Sequence, residues 1–189
     1  MPQLAFYTAG FAIYIRSART TTTGATNMAL EYRAARPNDV PECLVLRGKT
    51  RENSISPEGL NARGITIDSW VQDIRQGVLA GYVCISDSRI VGYCFGARES
   101  GEVAVLALLP AFENRGIGKS LLNRVIRELR TSGFNRLFLG CSPDPSTRSY
   151  GFYRHLGWHS TGTFDAAGDE VLELFLERPG QQAPTTQGA

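Results

Sequence analysis

Eight consecutive residues, Glu113-Asn114-Arg115-Gly116-Ile117-Gly118-Lys119-Ser120, carry the clearest chemical signal in this 189-residue chain. They lie between an apolar, strand-like stretch from Val103 to Leu109 and a stretch of helical periodicity from Ile117 to Arg130. A strand that turns through glycines into a helix leaves backbone N–H groups unpaired at the positive end of the helix dipole, where a phosphate can sit. The segment is therefore expected to hold a phosphorylated cofactor. A nucleotide P-loop needs Gly, any four residues, then Gly-Lys-Ser/Thr. Gly118-Lys119-Ser120 supplies the second half, but Glu113 stands at the first glycine's place, where a carboxylate would crowd and repel phosphate. The apolar stretch Leu137 to Leu139 also runs into Gly140-Cys141-Ser142-Pro143, not into the aspartate that a magnesium-nucleotide site requires.

A different family fits. The stretch Leu108-Leu109-Pro110-Ala111-Phe112-Glu113-Asn114-Arg115-Gly116-Ile117-Gly118 resembles the acyl-CoA motif of GNAT-family N-acetyltransferases, an apolar strand, Pro, then Gln/Arg-x-x-Gly-x-Gly/Ala. Tyr150-Gly151-Phe152-Tyr153-Arg154-His155-Leu156-Gly157-Trp158 resembles that family's closing motif, Tyr-x-x-x-Gly-Phe, and follows in the right order. The resemblance runs from Leu30 to Glu177 and is strongest after Glu102. It implies an α/β domain with a mixed, mostly antiparallel twisted sheet of about six to seven strands flanked by about four helices. It also implies acetyl-CoA as co-substrate, with no metal, and direct transfer of the acetyl group to the amine of a small molecule or peptide. A domain that binds acyl-CoA without catalysing transfer, as a sensor, is the alternative.

Acetyl transfer needs a neutral amine beside the thioester, donors for the developing oxyanion and a proton for the departing thiolate. By resemblance, the backbone N–H of Leu108 serves the oxyanion. The amides of Asn114, Arg115, Gly116, Ile117, Gly118 and Lys119 hold the pyrophosphate, with charge from Arg115 and Lys119 and a hydroxyl from Ser120. Ser146 stands where the family often has an asparagine touching the pantetheine. Glu113 stands where Gln or Arg is usual, so no phosphate contact is expected from its side chain. Tyr153 matches the family's general acid, with Tyr150 as the fallback. Glu102 matches the position of the general base, although water can relay the proton instead; Glu99 is a weaker alternative. His155 and His159 are expected on the surface or in packing roles.

These groups need elements to position them. Leu30 to Ala35 reads as a strand, and Pro37-Asn38-Asp39-Val40 starts a helix running towards Arg51. Ser54 to Ile67 reads as a polar loop broken by Pro57, Gly59 and Gly64, after which Asp68 should cap a short helix. In the resembling family this region lines the acceptor groove, and it carries Arg47, Arg51, Glu52, Asn53 and Trp70. Val78 to Ile85 and Ile90 to Ala97 should form a hairpin, extended by Glu102 to Leu109 with even and odd positions on opposite faces. Ile117, Leu121, Leu122, Val125, Ile126 and Leu129 form the core stripe of the next helix, stopped at Gly133. Asp144-Pro145 should open the last helix, which ends at Gly157, before Trp158 to Phe164 and Val171 to Leu176 close the sheet.

The bulk properties exclude several classes. At 42% hydrophobic and 20% charged residues the chain can bury one core, and a net charge of +2 with scattered Lys and Arg supports neither nucleic acid nor a membrane surface as partner. Cys43, Cys84, Cys94 and Cys141 lack C-x-x-C spacing and read as reduced core thiols of a cytoplasmic protein. The apolar run Leu4 to Ile15 is too short to span a bilayer. Met28 leads straight into the first strand, so residues 1–28 read as a disordered or misassigned extension, 29–178 as the domain and 179–189 as a disordered tail. A homodimer is compatible with this composition.

Overall fold

A computed structural model describes residues 29–176, so the expected N-terminal extension and C-terminal tail lie outside the described residues. The strands are β1 (Glu31–Ala34), β2 (Leu79–Ser86), β3 (Arg89–Ala97), β4 (Val103–Leu108), β5 (Arg136–Cys141), β6 (His159–Phe164) and β7 (Glu170–Phe175). The helices are α1 (Val40–Arg47), α2 (Pro57–Asn61), α3 (Ile67–Gln76), α4 (Ile117–Thr131) and α5 (Arg148–His155). Strands β1-β2-β3-β4 form one antiparallel sheet and β5-β7-β6 a second. A single parallel bridge, Glu102 to Phe138, joins them. The layout is the expected mixed sheet, with five α-helices where about four were anticipated.

The β2–β3 connection turns through Asp87 and Ser88, both at positive φ (48° and 63°), the conformation whose twist matches a two-residue hairpin. Between β4 and β3 the register shifts at Phe95 and Gly96. This irregularity corrects the simple alternation expected of β4: Val103 packs in the same core as Leu106 and Leu108, while Val105 and Ala107 face the other way.

Helices cover both faces. On one, Ile117, Leu121, Leu122, Val125 and Leu129 of α4 meet Leu137, Leu139 and Trp158. On the other, Trp70 of α3 packs against Tyr93 and Phe95, with ring centroids 6.2 Å and 5.0 Å away. Three helix boundaries differ from expectation. Helix α2 interrupts the anticipated loop, because Ser56 accepts a bond from Gly59 N (3.2 Å) and Pro57 occupies the first helical position, where its missing N–H costs nothing. Helix α3 is capped by Thr66 in a reciprocal box with Ser69, not by Asp68. Helix α5 starts at Arg148, not at Pro145, since Asp144 is spent on a turn in which it accepts from Ser146 N (2.8 Å).

Candidate active site

The site begins where β4 and β5 part. Leu109 N donates to Val91 O of β3 (2.9 Å), so strand alternation turns the backbone groups of Leu106 and Leu108 to the opposite edge, towards β5. There the Glu102–Phe138 bridge, with Phe138 N donating to Gly101 O (3.3 Å), is the pairing described, and beyond it the edge of β4 is open. A buried strand edge with unpaired amides invites a ligand that can accept from them. Leu108 thus stands as expected, its side chain in the core and its N–H on the open edge.

The open edge leads into the glycine turn. Asn114 (φ 61°) and Gly116 (φ 74°) are left-handed, and Gly116 is the N-cap of α4 with no side-chain cap. The amides of Ile117, Gly118 and Lys119 therefore start a fifteen-residue helix without an internal acceptor. A Cβ on Gly116 would meet nothing within 4 Å, so the approach is free on that side. Arg115 lies over the Phe112 ring at 5.1 Å and Lys119 is exposed.

Two expected donors are already engaged. Ser120 turns its hydroxyl to the Tyr32 phenol, and its N–H bonds Gly116 O (3.0 Å). Ser146 gives its N–H to Asp144 Oδ1 (2.8 Å) and its hydroxyl to the same carboxylate. Each hydroxyl would have to turn from that partner to reach a cofactor.

Glu113 is explained by partners that sequence spacing did not reveal. Its Oε2 accepts from Arg51 Nε at 3.0 Å and Arg148 Nη1 at 2.8 Å, with its side chain only 13% exposed. Arg148 also donates to Asn114 Oδ1 (2.7 Å), while Glu52 accepts from Arg148 N at the start of α5 (2.9 Å). One carboxylate thus ties the loop after α1 and the first turn of α5 to the phosphate turn.

Tyr153 is buried at 9% exposure, with its ring edge-on to Phe152 (5.1 Å) and Trp158 (6.0 Å). Burial pushes its phenol well above the ordinary tyrosine range, and no hydrogen bond to its hydroxyl is described. The fallback Tyr150 is instead stacked under Arg154 (3.7 Å), which also pairs with Glu170. Glu102 sits at the joined end of the two sheets, where burial first and Asp165 second push its carboxyl above the ordinary range. Glu99, His155 and His159 are exposed. All four cysteines are buried free thiols.

Sequence reasoning missed the loop between β6 and β7. Asp165 Oδ1 accepts from Ala167 N (2.8 Å) and Asp169 N (3.0 Å), and its Oδ2 lies 2.8 Å from where a Cβ on Gly140 would be. This brings Asp165 and Asp169 onto the same part of the sheet as Glu102. The two aspartates around Gly168 were the only signal.

Comparisons agree with this geometry. A model of the acetyltransferase (GNAT) family matches residues 42–158. An IAA acetyltransferase of Azospirillum brasilense is 31% identical over 105 residues, covering 56% of this chain and 63% of that protein. An uncharacterized N-acetyltransferase of Chlorobaculum tepidum is 27% identical over 104 residues, covering 53% of this chain and 63% of its own. The matches thus span somewhat under two thirds of these relatives' lengths. Among solved structures, the PaiA N-acetyltransferase of Thermoplasma acidophilum in complex with coenzyme A superposes at TM-score 0.65 with 19% identity, covering 78% of this chain and 99% of that one. The ribosomal-protein-S18-alanine N-acetyltransferase of Escherichia coli gives 0.60 with 14% identity over 82% and 99%. With the family model spanning more than half of the chain, and the strand-glycine-turn-helix seat where that family has it, this protein belongs to the GNAT acetyltransferase family.

Proposed function

We propose that this protein transfers an acetyl group from acetyl-CoA directly to a primary amine. The observation that carries the reading is continuous: the open edge of β4 at Leu108 runs into the uncapped amides of Ile117, Gly118 and Lys119. A thioester carbonyl and a pyrophosphate on one flexible arm would meet both sets of donors at once. Bound acetyl-CoA supplies the activated acetyl group.

The chain's own residues do the rest. Leu108 N–H offers a fixed dipole to the carbonyl oxygen. Glu102, its carboxyl raised by burial and Asp165, accepts the amine's proton directly or through water. Tyr153 keeps its proton and holds it for the departing sulfur, a task for which a phenol needs no lowering of its pKa. Arg115 and Lys119 add positive charge at the phosphate seat. Buried free thiols suit a reducing compartment, which supports a cytoplasmic setting.

The test pairs calorimetry of coenzyme A binding with acetyl-CoA thiol release over a panel of amines, amino acids and peptides. Binding with turnover on one class supports the reading. Well-folded protein that takes up no coenzyme A would overturn it, and binding without turnover would make it an acyl-CoA sensor.

A further inference from the structure

Of the charged residues that the sequence reading assigns to the acceptor groove, Arg47 has no counter-ion among the described residues. Of the polar residues that the sequence places there, Arg51 is taken by Glu113 and Glu52 by the backbone of Arg148. Trp70 is packed against Tyr93 and Phe95. Asn53, at φ 53°, turns its carbonyl to Arg47.

Arg47 itself, the last residue of α1, is half-buried and forms no ion pair among the described residues. Its Nη1 reaches the Asn53 carbonyl and, at 3.4 Å, the Thr50 hydroxyl, both neutral. Its Nε and Nη2 have no described partner. Tyr93 of β3, Tyr153 of α5, Asp169 of the β6–β7 loop and Arg63 beyond α2 lie within electrostatic reach of it. Asp169 is not its counter-ion. That carboxyl stays above its ordinary range, because burial and Asp165 outweigh Arg47. A second polar group nearby, the fully buried Tyr93 hydroxyl, also lacks a partner. A guanidinium half withdrawn from water without an anion carries a desolvation cost, which an arriving carboxylate offsets with a two-pronged bond.

We propose that Arg47 anchors a carboxylate on the acceptor, so that the amine acetylated here belongs to a small amino acid rather than to a neutral amine or a polyamine. This rests on the transfer reading above. The acceptor spans the groove with its amine towards Glu102 and its acid towards Arg47, beside the Tyr153 phenol. The carboxylates of Glu102 and Asp165 favour the ammonium end, and the pair Arg47 and Arg63 favours the acid end.

The test uses matched trios, L-amino acids with small, basic and aromatic side chains together with their amides and their decarboxylated amines. Binding in the presence of coenzyme A is followed by ligand-observed NMR, and transfer by thiol release. A charge-assisted pair predicts that at least one acid outperforms its amide by about ten- to hundredfold. In R47Q that ratio should collapse to within about threefold, and R47K, which keeps the charge but not the fork, should recover part of it. Coenzyme A affinity of each variant reports that the fold is intact. The proposal is overturned if wild type treats acids and amides alike or binds none of the acids, or if R47Q depresses both members of a pair equally. Arg47-dependent binding of an acid without acetyl transfer would leave the anchor standing and sink the transfer reading instead.

Discussion

Tyr153→Phe separates chemistry from binding more cleanly than any other change in this protein. The substitution deletes one oxygen from a ring whose packing against Phe152 and Trp158 is otherwise unchanged. No hydrogen bond to that oxygen is described, so the deletion leaves no orphaned partner and should cost under about 1 kcal/mol of stability. The proposed phosphate seat is on α4 and its turn, so coenzyme A affinity should stay within about twofold. What is lost is the proton for the leaving sulfur, a general-acid contribution of about 10²- to 10⁴-fold in kcat. At about 1.36 kcal/mol per decade, that is roughly 3–5 kcal/mol of barrier. The phenol's raised pKa adds a second signature. Tyr153 stays protonated throughout the assay range, so the alkaline limb of the wild-type profile should lie above about pH 10 wherever Tyr153 sets it. The assay is thiol release against pH for both proteins, with calorimetry of coenzyme A. A Phe variant that turns over within about threefold of wild type would refute the assignment. Turnover and coenzyme A affinity falling together would make Tyr153 a structural residue.

Other predictions follow from particular contacts. Glu102 has a folded pKa raised above its unfolded value, so its ionisation costs stability as pH rises through the carboxylate range. Glu102→Gln should therefore raise Tm by about 1–2 °C at pH 7 and not below about pH 4. It should also lower turnover by about a hundredfold, and a Tm that falls at pH 7 would contradict a carboxyl raised by burial. Glu113→Gln removes the acceptor shared by Arg51 and Arg148 and should lower Tm by about 2–6 °C without weakening coenzyme A; a tenfold loss of affinity would show that Glu113 serves the phosphate after all. A Cβ on Gly81 would lie 2.0 Å from the Phe95 ring, so Gly81→Ala should cost about 3 kcal/mol or prevent folding. Gly151, in α5 with open space around it, should gain about 0.5–1 kcal/mol as Ala, read by urea denaturation.

The parts that were legible in the sequence are those whose cause is local. The β4 strand, the turn at Gly116 and the stripe of α4 follow from periodicity and from glycines that take a left-handed φ. The hairpin through Asp87 and Ser88 was readable for the same reason. Where local signals compete, the reading slipped. Ser56-Pro57 is a start signal as good as Asp144-Pro145, yet the first opens a helix and the second does not, because Asp144 binds Ser146 and leaves Thr147 to precede α5. The register shift in β4 arises from pairing with β3, and nothing in the strand's own residues announces it. Of the site, the residues proposed as backbone donors and as the two proton carriers were chosen from motif position. The engagement of Ser120 by Tyr32 and of Ser146 by Asp144 was not, nor was the approach of Asp165 to Glu102, since each depends on where distant elements come to rest.

The carboxylate at position 113 shows how a departure from a motif can keep the motif's physics. Taken alone, Glu113 beside a phosphate seat is repulsive. In the fold its charge is paired with two guanidiniums, whose opposite charges offset its field at the turn. Around that turn Arg51, Arg115, Lys119 and Arg148 outnumber Glu52 and Glu113, which leaves the seat electropositive. A side-chain donor at this position would give the phosphate one hydrogen bond. The glutamate instead brings Arg148 and Arg51 to the rim and fixes Asn114, whose left-handed backbone aims the following amides at the seat. On the proposed reading the backbone of residues 114–119 would recognise the phosphate, and the Glu113 side chain serves the packing of the rim. Arg47 differs from Arg51 and Arg148 in this respect: among the described residues it meets only the neutral Asn53 carbonyl and Thr50 hydroxyl, and no carboxylate.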